Sequence, residues 1–198
     1  MAKLMLHACC GPCSLEPVRL LRQEGFEPYI CWANDNIQPA SEYMLRLSTL
    51  KTWAEEEHIE VIETAYEPEA WEKVCSGWGF DKDRRCVACY VQRLDKACAQ
   101  AAKLGFTYIS TTLAVSPYQR FDVYTKALER LAKKYGLIPI IRDYRPYYPN
   151  ATTRSRELGM YRQNYCGCRF SAAEACIQRH QARDQRKAQK ARQKNSRA

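Results

Sequence analysis

The stretch KLMLHACCGPCSLEPVRLLRQEG, residues 3–25, sets the reading of the whole chain. Lys3–Ala8 is a short apolar run of strand length, broken off by cysteines. Ser14 then offers an N-cap, Glu16 and Pro17 fit a first helical turn, and Gly25 offers a stop. Strand, turn and helix form the first half of a βαβ unit, and the alternation continues. Strands are expected at Tyr29–Ala33, Ile59–Ile62, Thr107–Leu113 and Ile138–Ile141. Helices are expected from Ser41 to about His58, from Pro68 to near Gly77, over Arg84–Leu104 and over Asp122–Tyr135. Two more helices are expected at 153–164 and 171–192. The pattern predicts an α/β fold with a mostly parallel sheet and helices on both faces. In such sheets the chemistry gathers beyond the carboxyl ends of the strands. The loops there are Cys9–Cys13, Asn34–Asn36, Ser116–Tyr118 and Arg142–Tyr144.

The chain has 198 residues, enough to bury a real core. Residues 1–178 read as a single α/β domain and 179–198 as a basic tail. Net charge is +9, of which the tail carries +7 through eight Lys/Arg against Asp184. Arg179, Arg183, Arg186, Lys187 and Arg197 are among them. Such a tail favours a polyanionic partner, with a solubilising extension as the bland alternative. No apolar run approaches the roughly 20 residues of a membrane helix, and residues 1–10 lack a signal-peptide pattern. A cytoplasmic protein with no membrane association is expected.

Eleven cysteines are the main anomaly of the composition. In a reducing compartment, clustered cysteines read as metal-binding or redox-active. Seven fall into three groups: Cys9-Cys10-Gly-Pro-Cys13, Cys86-Val-Ala-Cys89 and Cys166-Gly-Cys168. Cys31, Cys75, Cys98 and Cys176 stand singly and are expected as small buried residues. Cys9, Cys10, Cys86 and Cys89 can supply four thiolates from two loops, to zinc or to an iron–sulfur cluster. The first helix begins right after Cys9 and Cys10, and its N-terminal amides would stabilise thiolate charge there. CGPC before a helix also suits thioredoxins, but the chain is much longer and the other cysteine groups have no role there. A disulfide between Cys166 and Cys168 would be strained and easily reduced, which suits an electron relay; two further metal ligands are the other reading. His7, at a strand end, reads as a packed residue. Two rival classes are a zinc-stabilised RNA-binding protein without redox activity and an ATP-dependent sulfur-transfer enzyme. HACCGPCS lacks the SGGxDS loop that the latter needs.

Five segments in order, HACCGPCS at 7–14, Asn36–Pro39, RCVACYVQRL at 85–94, STTLAVSPYQ at 110–119 and YRQNYCGC at 161–168, resemble QueH-type epoxyqueuosine reductases. The resemblance runs from about residue 3 to 170. It implies a Rossmann-like sheet of the adenine-nucleotide α-hydrolase type, with cysteines in place of the phosphate loop. It implies reductive deoxygenation of epoxyqueuosine to queuosine at the wobble position of tRNA, with oxygen leaving as water. It also implies a [4Fe–4S] cluster and a second, mononuclear iron. On that basis Cys9, Cys10, Cys86 and Cys89 are assigned to the cluster and Cys13 to the second iron. Cys166 and Cys168 become a redox pair fed by an external electron donor. Asp35, Tyr118 and Tyr161 are candidate proton donors; the family pattern has Pro where this chain has Asp35. Tyr161, Arg162, Arg120, Arg145, Arg183, Arg186 and Lys187 are expected to contact the tRNA, since RNA loops are read by stacking and phosphate contacts.

Overall fold

The computed structural model describes residues 1–195 and divides the chain into two compact units, Met1–Arg162 and a second beginning at Gln163. In the first unit, β1 (Ala2–His7), β2 (Phe26–Trp32), β3 (Val61–Glu63), β4 (Tyr108–Thr111) and β5 (Ile138–Pro139) form one parallel sheet. Its order is β3-β2-β1-β4-β5. The helices are α1 (Gly11–Gln23), α2 (Ala40–Glu56), α3 (Pro68–Cys75), α4 (Lys82–Lys103), α5 (Phe121–Lys134) and α6 (Tyr148–Glu157). The second unit carries α7 (Arg169–Asn195).

β1 is central, which explains its unbroken apolar run: both of its faces are covered. Leu4 and Leu6 pack with Leu15, Val18 and Leu21 of α1 and with Leu47, Leu50 and Trp53 of α2. Met5 points the other way, into a cluster with Leu94 and Ala97 of α4 and Leu128 and Leu131 of α5. The expected α/β architecture with helices on both faces is therefore present.

Several boundaries differ from expectation. α1 begins at Gly11, not after Ser14; Pro12 sits in its first turn, where a fixed φ is favourable. Cys10 is the residue before it, and the Ser14 hydroxyl donates back to the Cys10 carbonyl at 2.9 Å. β5 is only two residues long and lies at the sheet edge, where Pro139 costs no ladder donor: the Ile138 and Ile140 amides donate to the Thr107 and Ile109 carbonyls at 2.8 Å. α6 spans Tyr148–Glu157, about one and a half to two turns ahead of the expected 153–164. A proline in its first turn starts it, and Gly159 at φ +60 follows its end.

The chain leaves β1 toward β2 and β3 and then crosses back to β4 on the other side of β1. The loops after β1 and β4 thus flank a topological switch point, where open α/β sheets hold their ligands. Among the described residues no helix is long and apolar enough to cross a membrane.

Candidate metal centre

Cys9 leaves the end of β1, Cys10 caps α1 in an extended conformation (φ −175°, ψ 166°), and Cys13 lies in the first helical turn. The extended residue followed at once by a helix folds the three side chains together. Their Sγ atoms all lie within 4.8 Å of one another, with Cys9 and Cys10 3.9 Å apart. Metal–sulfur bonds of about 2.3 Å in a tetrahedron give a sulfur–sulfur edge of about 3.8 Å. The donor set therefore fits a thiophilic metal, and it does so at the positive end of α1.

Thr112 holds this loop from across the switch point. The Cys9 amide donates to Thr112 Oγ1 at 3.0 Å, and the Thr112 hydroxyl donates to Cys9 Sγ at 3.3 Å. Hydrogen bonds from Cys10 and Cys13 hold the Cys9 thiol well below its usual range; burial opposes them, and Thr112 and the Arg93 charge assist. Cys13 is pushed up, because it donates to Cys10 and Cys9 and is buried. Cys9 is thus the thiol of the triad that ionises most readily, and a metal would displace the remaining thiol protons.

Two buried groups brace the loop from behind. His7 is fully buried; its Nε2 faces the Ala33 carbonyl at 3.3 Å and must donate to it. Its Nδ1 then accepts from the Thr111 hydroxyl at 2.9 Å. Burial, and next the Arg93 charge, lower its pKa to about 3. With both ring nitrogens engaged, His7 is a neutral packed residue. Arg93 of α4, also buried, donates to Asn34 Oδ1, while Asn34 Nδ2 donates to the Ala8 carbonyl at 2.8 Å. This chain of bonds ties α4 to the residue just before Cys9.

α4 also carries Cys86 and Cys89. Its start is capped by Asp81, which accepts from the Arg84 amide at 3.2 Å. Cys86 packs against the apolar cluster that contains Cys10 and Cys13, and Cys89 is buried one turn before Arg93. The tight three-sulfur group among the described residues comprises the loop cysteines alone. Cys31, Cys75 and Cys98 are buried, as expected of singletons, and burial pushes Cys31 and Cys98 up to about 12. Cys176 departs from that expectation. It is exposed on α7, a helix of polar sequence, with Sγ 3.6 Å from His180 Nδ1.

The other expected residues have varied settings. Asp35 is buried, and its carboxylate accepts from the Glu67 amide, Gln92 Nε2 and Lys96 Nζ, each at 2.9 Å. It joins the loop after β2 to α4. Tyr118 is 79% exposed, its ring edge-on to Tyr148 at 6.3 Å, so it is presented to solvent. The Tyr161 hydroxyl donates to Glu42 at 2.8 Å, and Arg162 is half-buried. Arg120 pairs with Asp83 at 2.8 Å. Arg145 grips Asp143 through two N–H bonds and lies over the Phe121 ring at 4.7 Å. In the second unit Cys166 is exposed and Cys168 buried. The Ser171 amide donates to Cys168 Sγ at 3.4 Å, and the Gly167 amide donates to the Ser171 hydroxyl. Arg183, Arg186 and Lys187 are exposed on α7, and Arg197 lies outside the described residues.

Thr112 and Arg93 are the residues that sequence reasoning passed over. Both stand inside motifs quoted for the resemblance, but only the fold brings them against the Cys9 loop.

The chain is similar to known proteins over most of its length. The family model described as Epoxyqueuosine reductase QueH matches residues 4–174. Proteins of that name are similar over most of their length. The one from Dehalococcoides mccartyi is 34% identical over 87% of this chain and 93% of its own. The one from Thermotoga maritima is 32% identical over 88% and 92%, and that from Haemophilus influenzae 31% identical over 87% and 73%. Among solved structures, a predicted subunit of tRNA methyltransferase from Methanocaldococcus jannaschii superposes with a TM-score of 0.53. It covers 79% of this chain and 77% of its own at 12% identity, a likeness of fold.

Proposed function

The chain belongs to the epoxyqueuosine reductase QueH family and is an oxidoreductase, and from that premise we propose that it reduces epoxyqueuosine to queuosine in tRNA on a cysteine-held iron centre. The observation that carries the reading is the triad Cys9, Cys10 and Cys13 at the switch point of the sheet. With Cys86 and Cys89 of α4 the candidate thiolates number five, one more than a [4Fe–4S] cluster takes. Cys9, Cys10, Cys86 and Cys89 are assigned to that cluster and Cys13 to a second iron. When bound, these groups supply single electrons and Lewis acidity toward the epoxide oxygen.

The chain's own residues do the rest. Converting an epoxide to an alkene and water consumes two electrons and two protons. Oxidation of the Cys166 and Cys168 thiols to a disulfide releases two of each. The short loop between them makes that disulfide easy to reduce again by an external electron donor. Thr112 and the Arg93–Asn34 pair hold the Cys9 loop in place while charge moves through it. Tyr118, standing free in solvent, is assigned to proton delivery and to stacking on an anticodon-loop base. Asp35 and Tyr161 hold the loop after β2 and the start of α2, with Arg162, Arg120 and Arg145 offering a basic rim to the RNA.

The test is anaerobic purification followed by iron and sulfide analysis. A brown protein whose iron falls sharply in Cys9→Ser supports the reading. A colourless, zinc-loaded protein that binds RNA would replace it with a zinc-stabilised binding module. Cys166→Ser and Cys168→Ser should retain the iron and slow turnover; loss of iron in either would make it a ligand.

A further inference from the structure

The family match ends at residue 174, yet α7 runs on to Asn195 as a continuous helix. From Gln178 to Lys194 it holds no apolar residue larger than alanine. At about 100° per residue, Arg179, Arg183, Arg186 and Lys187 fall within an arc of about 100° and a length of about 12 Å. They line an open trough of about 550 Å³ together with Ala182, Gln189 and Gln193. Like charges three and four residues apart weaken a helix. No acid stands among these seven residues to offset them. Among the described residues none of the four cations has an ion-pair partner, whereas Arg120, Arg142, Arg145 and Arg154 of the first unit are all paired with carboxylates.

We propose that this face of α7 grips the phosphate backbone of the tRNA, independently of sequence; the choice of tRNA rests on the function proposed above. Four unpaired cations on one helix face, with Ala182, Gln189 and Gln193 as the only other lining of the trough, suit a rail of phosphates that must come close. The chemistry disfavours the other anionic partners. A membrane-binding helix needs bulky apolar residues opposite its basic face, and a helix that docks in a protein groove needs apolar anchors. This segment has neither.

The probe is an RNA duplex of about 20 base pairs without an anticodon loop, titrated into the full chain over a range of salt. Each phosphate contact contributes roughly 0.7 to 0.9 to the slope of log K against log salt. The triple variant Arg183→Gln, Arg186→Gln, Lys187→Gln should flatten that slope by roughly 2 to 3 and weaken binding roughly 30–100-fold near physiological salt. Ala182→Glu keeps every cation and places a carboxylate in the trough. It should weaken binding in the same direction, with helix content by circular dichroism unchanged. Unchanged affinity and slope in both variants would overturn the proposal. So would α7-dependent binding to vesicles of phosphatidylserine and phosphatidylcholine that exceeds binding to RNA. The duplex contains no epoxyqueuosine, so its binding reports on α7 whether or not the chain reduces that nucleoside. Nucleoside reduction with variant-insensitive duplex binding would overturn the grip and leave the function standing.

Discussion

At Cys9, burial works against a thiolate, and hydrogen bonds from two thiols and one hydroxyl outweigh it. Thr112 is the only contributor of the three that can be changed without removing a candidate ligand. Thr112→Val keeps the shape but removes a donor to the thiolate, so the Cys9 pKa should rise. In metal-free protein the rate of Cys9 alkylation, followed by peptide mass analysis over a range of pH, should reach its plateau at higher pH than in wild type. An unchanged pH profile would remove Thr112 from the account. Arg93 acts through Asn34. Arg93→Met leaves Asn34 Oδ1 buried without this donor, a cost of about 1–3 kcal/mol, and frees the loop before Cys9. Iron per chain should fall well below wild type, while Cys31→Ala should retain it. Neither role was legible from the sequence. The cysteines declare themselves by spacing, but a threonine after one strand and an arginine in a distant helix are ordinary letters until the strand order is known.

At the level of elements, α4 and α1 are the parts on which the site depends. α4 carries Cys86 and Cys89, so Cys86→Ala or Cys89→Ala should lose iron and activity together; full iron in Cys86→Ala would detach α4 from the centre. α1 is anchored to α6 by Glu16, which is buried and accepts from Arg154 and Arg19 at 2.9 and 2.7 Å. Burial pushes the Glu16 carboxyl up, but those two arginines outweigh it and hold it below its ordinary value. The unfolded chain therefore binds more protons at Glu16, and stability rises with pH through the carboxylate range. This contribution is present above about pH 4.5 and is lost as pH falls through the lowered folded-state value. Arg154→Ala should cost about 1–3 kcal/mol at pH 7, and the gap from wild type should narrow in acid. A gap independent of pH would contradict the pairing. Such ties explain why element ends escaped the sequence reading. Pro12 starts α1 early, and a proline and Gly159 bracket α6, whereas apolar periodicity locates only the buried middle of a helix.

Over the whole molecule, the alternation of strands and helices was readable because β1 is buried on both faces and the helices are amphipathic. The order of the strands was not, since an all-parallel alternation is compatible with more than one winding; the comparison of Cys9 with Thr112 depends on that order. The tail was legible as charge, but its single-sided face becomes visible only once α7 is a continuous helix. The central claim is that this chain removes an oxygen atom from epoxyqueuosine with the Cys9 loop as its working part. The direct measurement is anaerobic incubation of the iron-loaded protein and a chemical reductant with tRNA carrying epoxyqueuosine, followed by mass analysis of the released nucleosides. The account predicts conversion to queuosine, one oxygen lighter, by wild type and none by Cys9→Ser. Epoxyqueuosine left intact by the loaded wild-type protein, or converted equally by Cys9→Ser, would contradict it.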